Sequence, residues 1–323
     1  MSIPIEESIK FMKDGRRRFL AAAGFMGAAA IGSGLIGSNA TNAAIATFGT
    51  RGHRFDVNDD DILNFALNLE YLEANFYLLA ATGAGLTADE TSGVLTYPPR
   101  SSTRPSRGDA GCTVTGGSQV DFTSNPVIGS IALKISEDEH NHVTLLRAAL
   151  GSKAVAQPNI DLTDAFAAAA SAAGLGSGFT PFDSPTDFLL GAFIFEDVGV
   201  TAYHGASTYI RSDEYLSVAA GILAVEAYHA GCIRSQLFTL GQAAGGLITA
   251  ANAISALRAS ADGSGGTGNE SPLTDSNGDI NVAAADTNSV AYSRTFQEVL
   301  NIVYLGGTTS GGFFPDGVNG RIS

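Results

Sequence analysis

Beyond about residue 55, apolar residues recur at intervals of three and four rather than in alternation, so the chain reads as helical. Asp59-Asp60-Asp61 opens a first long helix at its positive end, and the periodicity runs to about Ala81. A Gly/Pro/Ser-rich stretch from about Thr82 to Asn125, containing Tyr97-Pro98-Pro99-Arg100, then breaks the pattern; it is long for an irregular connection. A second helix is predicted from Pro126 to Leu150, stopped by Gly151. Residues 152–183 form a crossover with a short Ala-rich helix over about Asp164 to Ala173. Ser184-Pro185 starts a third long helix, to about Tyr209, and Ser212-Asp213 a fourth, to about Gly241. A smaller helix follows from Ile248 to Ala261, then a polar, Gly-rich loop from Asp262 to Asp279. Thr295-Phe296-Gln297-Glu298 is a capping box before a last short helix, and a Gly-rich tail ends the sequence. Four long helices with a long connection between the second and third predict an all-α four-helix bundle with a crossover.

The first residues follow different rules. Lys10 and Lys13 precede Arg16-Arg17-Arg18-Phe19-Leu20, an Ala/Gly-rich apolar run to about Ile36, and small residues at Ala40 and Ala43. Charged start, apolar middle and small-residue end make a secretory signal over residues 1–43, and Arg-Arg-x-Phe-Leu resembles the twin-arginine type. An uncleaved membrane anchor is the alternative. The expected location is periplasmic or extracellular, with no stable membrane span after cleavage. The twin-arginine route carries proteins that are already folded, commonly with a metal or cofactor in place. Residues 44–261 are then one helical domain, with 262–323 packed on it. Cys112 and Cys232 suffice for one disulfide, but sequence spacing does not decide whether they meet. The net charge of −14, with no basic stripe, argues against nucleic acid as a partner.

The charged residues inside the helical stripes carry the chemistry. Glu139/His142 and Glu226/His229 are Glu-x-x-His pairs, and at this spacing both side chains share one helix face. Glu139 shares its face with Ile128, Ile131, Ala132, Ile135, Val143 and Leu146; Glu226 shares its own with Val218, Ala219, Ile222, Leu223, Ala230 and Ile233. Glu137/His140 has the same spacing on a polar face with Lys134 and Thr144, and is rejected as a ligand pair. Glu70 and Glu196 lie on the apolar faces of the first and third helices, each followed seven residues on by a tyrosine, Tyr77 or Tyr203. Unpaired carboxylates in an apolar core cost several kcal/mol each, so four of them demand cations or a path to water. Two divalent ions balance four carboxylates. The alternative is a rotated helix whose glutamates reach solvent.

One Glu on each of two helices with Glu-x-x-His on the other two resembles the ferritin-like di-metal carboxylate proteins, among them ferritins, rubrerythrins and manganese catalases. The resemblance implies a ferritin-like bundle and two Fe or Mn ions held by Glu70, Glu139, His142, Glu196, Glu226 and His229. It also implies Glu139 and Glu226 as bridging carboxylates, and Tyr77 and Tyr203 as tyrosines close behind the ligands. Glu73, one turn past Glu70, is an extra ligand, a proton shuttle or a salt-bridged helix residue. Leu67-Asn68-Leu69-Glu70-Tyr71-Leu72-Glu73, Ser293-Arg294-Thr295, Ile302-Val303-Tyr304 and Gly311-Gly312-Phe313-Phe314-Pro315 further resemble the desiccation-related ferritin-like family. This implies a role in oxidative or desiccation stress, with peroxide or dioxygen as the small oxidant and a homo-oligomer as one arrangement. A structural protective protein with a non-catalytic metal site is the alternative. His204 is read as structural, His53 as solvated, and Asp275-x-Asn277-x-Asp279-x-Asn281 as a polar loop rather than a calcium loop.

Overall fold

A computed structural model describes residues 57–96, 112–264 and 269–323. The signal segment, His53 and Tyr97-Pro98-Pro99-Arg100 lie outside the described residues. Within them, the long helices are α1 (Asp59–Thr82), α3 (Pro126–Leu150), α5 (Pro185–Ser207) and α6 (Asp213–Gly241). Shorter helices are α2 (Ala88–Thr91), α4 (Asp164–Ala172), α7 (Gly245–Ala261) and α8 (Phe296–Val303). Each long helix starts on a side chain suited to its exposed amides. Asn58 and Asp61 accept reciprocally from each other's backbone at 3.0 Å, Ser184 caps α5, and Ser212 caps α6.

The bundle is two helix pairs. α1 packs mainly on α3, α5 mainly on α6, and the pairs meet where α1 crosses α5. α1 and α5 are buried nearly all round, because α7, which packs on both α5 and α6, and α8 cover α5, and the tail folds over α1. Neither helix accordingly has a solvated face over Ile62–Tyr77 and Phe188–Tyr203, and Asn64, Asn68 and Asn75 of α1 are bonded to Lys153, Asn319 and Gln157.

The structure departs from the sequence reading in two details. α7 begins at Gly245, three residues before Ile248, because Leu247 is already on its buried side. The insertion and the crossover are not wholly irregular: β1 (Val114–Thr115) pairs in parallel with β2 (Ile160–Asp161). Two-residue strands are too short to register as an alternating pattern. Nearby, Arg147 of α3 donates to Ser92 O at 2.7 Å and Asp89 O at 3.0 Å, pinning α2 to the bundle.

A buried charge cluster joins residues 262–323 to the bundle. Arg234 of α6 forks onto Asp197 of α5 through Nε and Nη2 at 2.9 and 2.8 Å. Arg258 of α7 reaches the same carboxylate at 2.7 Å and Glu270 at 2.7 Å, and also donates to Phe193 O. Arg294 spans Glu270 at 3.1 Å, Asp262 at 3.4 Å and the Thr201 hydroxyl at 3.1 Å. Three guanidiniums thus face three carboxylates, and the Arg258 and Arg234 groups also lie 4.4 and 5.1 Å from the Phe193 ring centroid.

Replacing Asp197 by Ala leaves Arg234 and Arg258 buried without their shared counter-charge. Breaking a buried pair from one side costs about 3–5 kcal/mol. Urea denaturation of Asp197→Ala should therefore show a loss of that size; a midpoint equal to that of the unsubstituted protein would show that the cluster does not hold the C-terminal segment.

Candidate metal centre

Each ligand candidate reaches the core because its helix turns that face inward. Glu70 and Glu73 come from α1, Glu139 and His142 from α3, Glu196 from α5, and Glu226 and His229 from α6. Glu139 and Glu196 have no exposed surface and His142 and His229 only 6%. Nδ1 of His142 stands 3.3 Å from Glu70 Oε2, 3.3 Å from Glu139 Oε2 and 3.7 Å from Glu226 Oε1. Nδ1 of His229 stands 3.0 Å from Glu139 Oε1 and 3.5 Å from Glu196 Oε2. Two donor groups follow, Glu70/Glu139/His142/Glu226 and Glu139/Glu196/His229, each with its atoms within 4.8 Å of one another. Glu139 belongs to both. A third group, Glu73/Glu196/Glu226, brings in the extra carboxylate of α1 and makes Glu226 shared as well.

Five carboxylates and two imidazoles in one dry space perturb one another strongly. Burial, with the neighbouring carboxylates, pushes Glu73 and Glu226 well above the usual range; burial also raises Glu196, opposed by His229. Burial lifts Glu70 to about 7 against the pull of His142. Glu139 goes the other way: burial would raise it, but His142 and His229 on either side hold it well below the carboxylate range. Burial disfavours the charged imidazole, yet Glu70 and Glu139 push His142 up to about 12; Glu196 and Glu139 do the same for His229. In the metal-free protein the cluster is therefore neutralised largely by protons.

The donor set fits metal ions. Glu70 Oε2, Glu73 Oε2, Glu139 Oε1, Glu196 Oε2, Glu226 Oε2 and His229 Nδ1 are all buried and make no well-directed hydrogen bond, although His229 Nδ1 and Glu139 Oε1 lie 3.0 Å apart as an ion pair. Their lone pairs are aimed at shared space, which is costly for a purely structural cluster and expected of ligands. Other atoms of the same residues are held. Tyr77 of α1 donates to Glu196 Oε1 of α5, and Tyr203 of α5 donates to Glu70 Oε1 of α1. Each tyrosine thus serves the glutamate of the opposite helix pair, a crossing that the Glu-x6-Tyr spacing alone does not reveal. Nε2 of His229 faces Asp138 Oδ2 at 3.3 Å, so an Nε2–H bond there leaves Nδ1 free to coordinate. A Cβ at Gly199 would overlap Glu226 Oε2, so glycine is required for the carboxylate to lie where it does.

Sequence reading missed Asp138 and Gly199. Asp138 sits beside Glu139 on the polar edge of α3, and only the approach of α6 gives it a role. Glu137 and His140 stay outside the cluster: Glu137 pairs with Lys134 at 3.2 Å, and His140 pairs with Glu90 at 2.5 Å. His204 Nδ1 faces Tyr292 O at 3.0 Å. Asp275 Oδ1 accepts the Asn277 and Asp279 amides at 2.8 and 3.0 Å, so that carboxylate closes its own turn. Cys112 and Cys232 form no disulfide with each other.

The comparisons with known proteins agree with this arrangement. A family model described as a ferritin-like domain matches residues 58–239, more than half of the chain. The chain is 25% identical over 304 residues to ferritin-like catalase Nec2 of Nesocodon mauritianus, covering 87% of this chain and 89% of that one. It is 30% identical over 184 residues to desiccation-related protein PCC13-62 of Craterostigma plantagineum, covering 56% of this chain and 53% of that one. No solved structure matches.

Loading Mn²⁺ into the metal-free protein should release protons from the imidazoliums and the protonated glutamates. Glu70, raised to about 7, still carries its proton below that pH and has lost it above. A pH-stat titration should therefore count more protons released at a pH of about 6 than at about 8, with apparent affinity falling as pH falls. A release independent of pH would contradict the assigned ligands. Gly199→Ala pushes on Glu226, and calorimetry should show Mn²⁺ affinity about 10- to 100-fold weaker; unaltered affinity would remove Glu226 from the set.

Proposed function

Because the chain belongs to the ferritin-like domain family, we propose that it binds a di-iron or di-manganese centre and consumes peroxide or dioxygen in oxidative or desiccation stress defence. The observation that carries this reading is the convergence of unpartnered, buried carboxylate and imidazole atoms from all four long helices. Glu70, Glu139, His142 and Glu226 would hold one ion, and Glu139, Glu196 and His229 the other. Mixed oxygen and nitrogen ligation at this depth suits iron or manganese. Bound there, either metal would supply a reversible redox couple for reaction with a small oxidant.

The chain's own residues keep that chemistry in place. Tyr77 and Tyr203 hold one oxygen of Glu196 and Glu70, so that the other faces the ions. Glu73 is the carboxylate not needed for either basic set, and it stands ready as a further ligand beside Glu196 and Glu226. Phe188, packed on Tyr77, and Ile222 and Ile233, on the α6 face that carries Glu226, are buried in the apolar core. The Arg16-Arg17 signal supports export in the folded, metal-loaded state to a periplasmic or extracellular location.

A second reading is supported by the match to a desiccation-related protein: a structural protective role in which the metal only staples the fold. The two readings separate in one set of measurements. Native protein should contain about two iron or manganese ions per chain, and loaded protein should consume peroxide or dioxygen. Glu139→Gln, which removes the shared ligand charge, should lower both metal content and turnover. Metal-free native protein with no turnover after loading would sink the redox reading. The structural reading expects the double variant Glu73→Leu/Glu226→Leu to keep protection during drying, with metal-free stability unchanged or raised by about 1–4 kcal/mol; loss of protection in a folded double variant would reject it.

A further inference from the structure

The centre is bordered by two kinds of wall. Beside Glu73 lies a small cavity walled by Leu69, Leu72, Ile194, Val198, Val303 and Phe313. A divalent cation crossing such a wall would leave its water without replacement ligands, at a cost of many kcal/mol. The boundary between α3 and α6 is different. There Asp138, its side chain 28% exposed, extends from α3 to meet His229 of α6 at 3.3 Å. Its other oxygen holds Lys134 at 2.9 Å, and Lys134 also reaches Glu137 at 3.2 Å. Behind Asp138 the His229 side chain is only 7% exposed, and its Nδ1 is the unpartnered atom aimed at Glu139 and Glu196. One imidazole ring therefore separates a carboxylate at the surface from the ligands inside.

We propose that Asp138 is the entry ligand for divalent cations, and that Lys134 is the resident counter-ion which an arriving cation displaces. A carboxylate between solvent and His229 concentrates cations there and lowers the barrier to their dehydration. The ring of His229 then swings aside to admit the cation and returns to its Nε2 bond with Asp138, which turns Nδ1 toward the inner ligands. Lys134, with its side chain 64% exposed, is free to swing into solvent as the cation arrives. The inference rests on the metal binding proposed above, but it concerns the rate and route of loading rather than what the loaded centre does.

Stopped-flow uptake of Co²⁺ by metal-free protein, followed by its visible absorption, tests the proposal without any assay of turnover. Asp138→Asn keeps an oxygen that can accept from His229 but removes the charge, and it should slow second-order loading about tenfold at unchanged final stoichiometry. Asp138→Glu should restore most of the rate. Lys134→Gln, which does not touch His229, should speed loading about threefold at low salt and steepen its fall as salt is raised. Asp183→Asn, an exposed carboxylate elsewhere, should load like the unsubstituted protein. Equal rates for Asp138→Asn and the unsubstituted protein would overturn the proposal. So would a normal rate with lowered stoichiometry, since Asp138 would then only orient the ring. Unsubstituted protein that takes up no Co²⁺ would overturn the metal-binding reading and this inference together.

Discussion

Mutual repulsion among carboxylates withdrawn from water is the constraint on which the rest of this structure depends. Glu70, Glu73, Glu139, Glu196 and Glu226 lie close together between the helices, with the imidazoles of His142 and His229 among them. Left to protons, the group splits its character. Glu139 stays charged between two imidazoliums, while Glu73 and Glu226 are driven toward the neutral acid. A cluster that must hold so many protons to exist in an apolar core is poorly explained by stability alone. Its unpartnered atoms and its sharing of Glu139 between two donor groups make sense once cations replace the protons.

The arginine cluster shows how the same chain handles buried charge when no ion is wanted. Arg234, Arg258 and Arg294 meet Asp197, Asp262 and Glu270 in equal numbers, and nearly every donor is spent on a carboxylate or carbonyl. Asp197 follows Glu196 directly, and the turn of about 100° between adjacent residues of α5 is enough to put them in different surroundings. One meets guanidiniums that cancel it, and the other meets more acid. The contrast makes the imbalance around Glu196 a property of that site rather than of the core as a whole.

Much of this was legible in advance, and the reasons are local. The caps at Ser184 and Ser212, the stop at Gly151 and the stripes around Glu139 and Glu226 are short-range signals, and each marks an element that is present. The same reasoning kept Glu137 and His140 apart from the ligands, because their face is polar within a single turn. What escaped depends on approach between distant segments. Asp138 acquires a partner only when α6 arrives, Gly199 is necessary only because Glu226 comes against it, and the β1–β2 pairing joins segments 46 residues apart in register. Arg294 was noticed as part of a family-like motif, but nothing local says that it is buried against Thr201 and Glu270.

The crossed tyrosines have a mechanical meaning. Tyr77 reaches Glu196 while Tyr203 reaches Glu70, which requires α1 and α5 to run in opposite directions. Glutamate and tyrosine are seven residues apart on each helix, a rise of about 10.5 Å, or close to two turns. Two bonds at that separation act like a pair of dowels. A slide of α1 along α5 by one turn, about 5.4 Å, moves both tyrosines away from their carboxylates at once. No compensating rotation of one helix can restore both. The two helix pairs can thus close in one alignment, and that alignment presents the ligand atoms of all four helices to the same space.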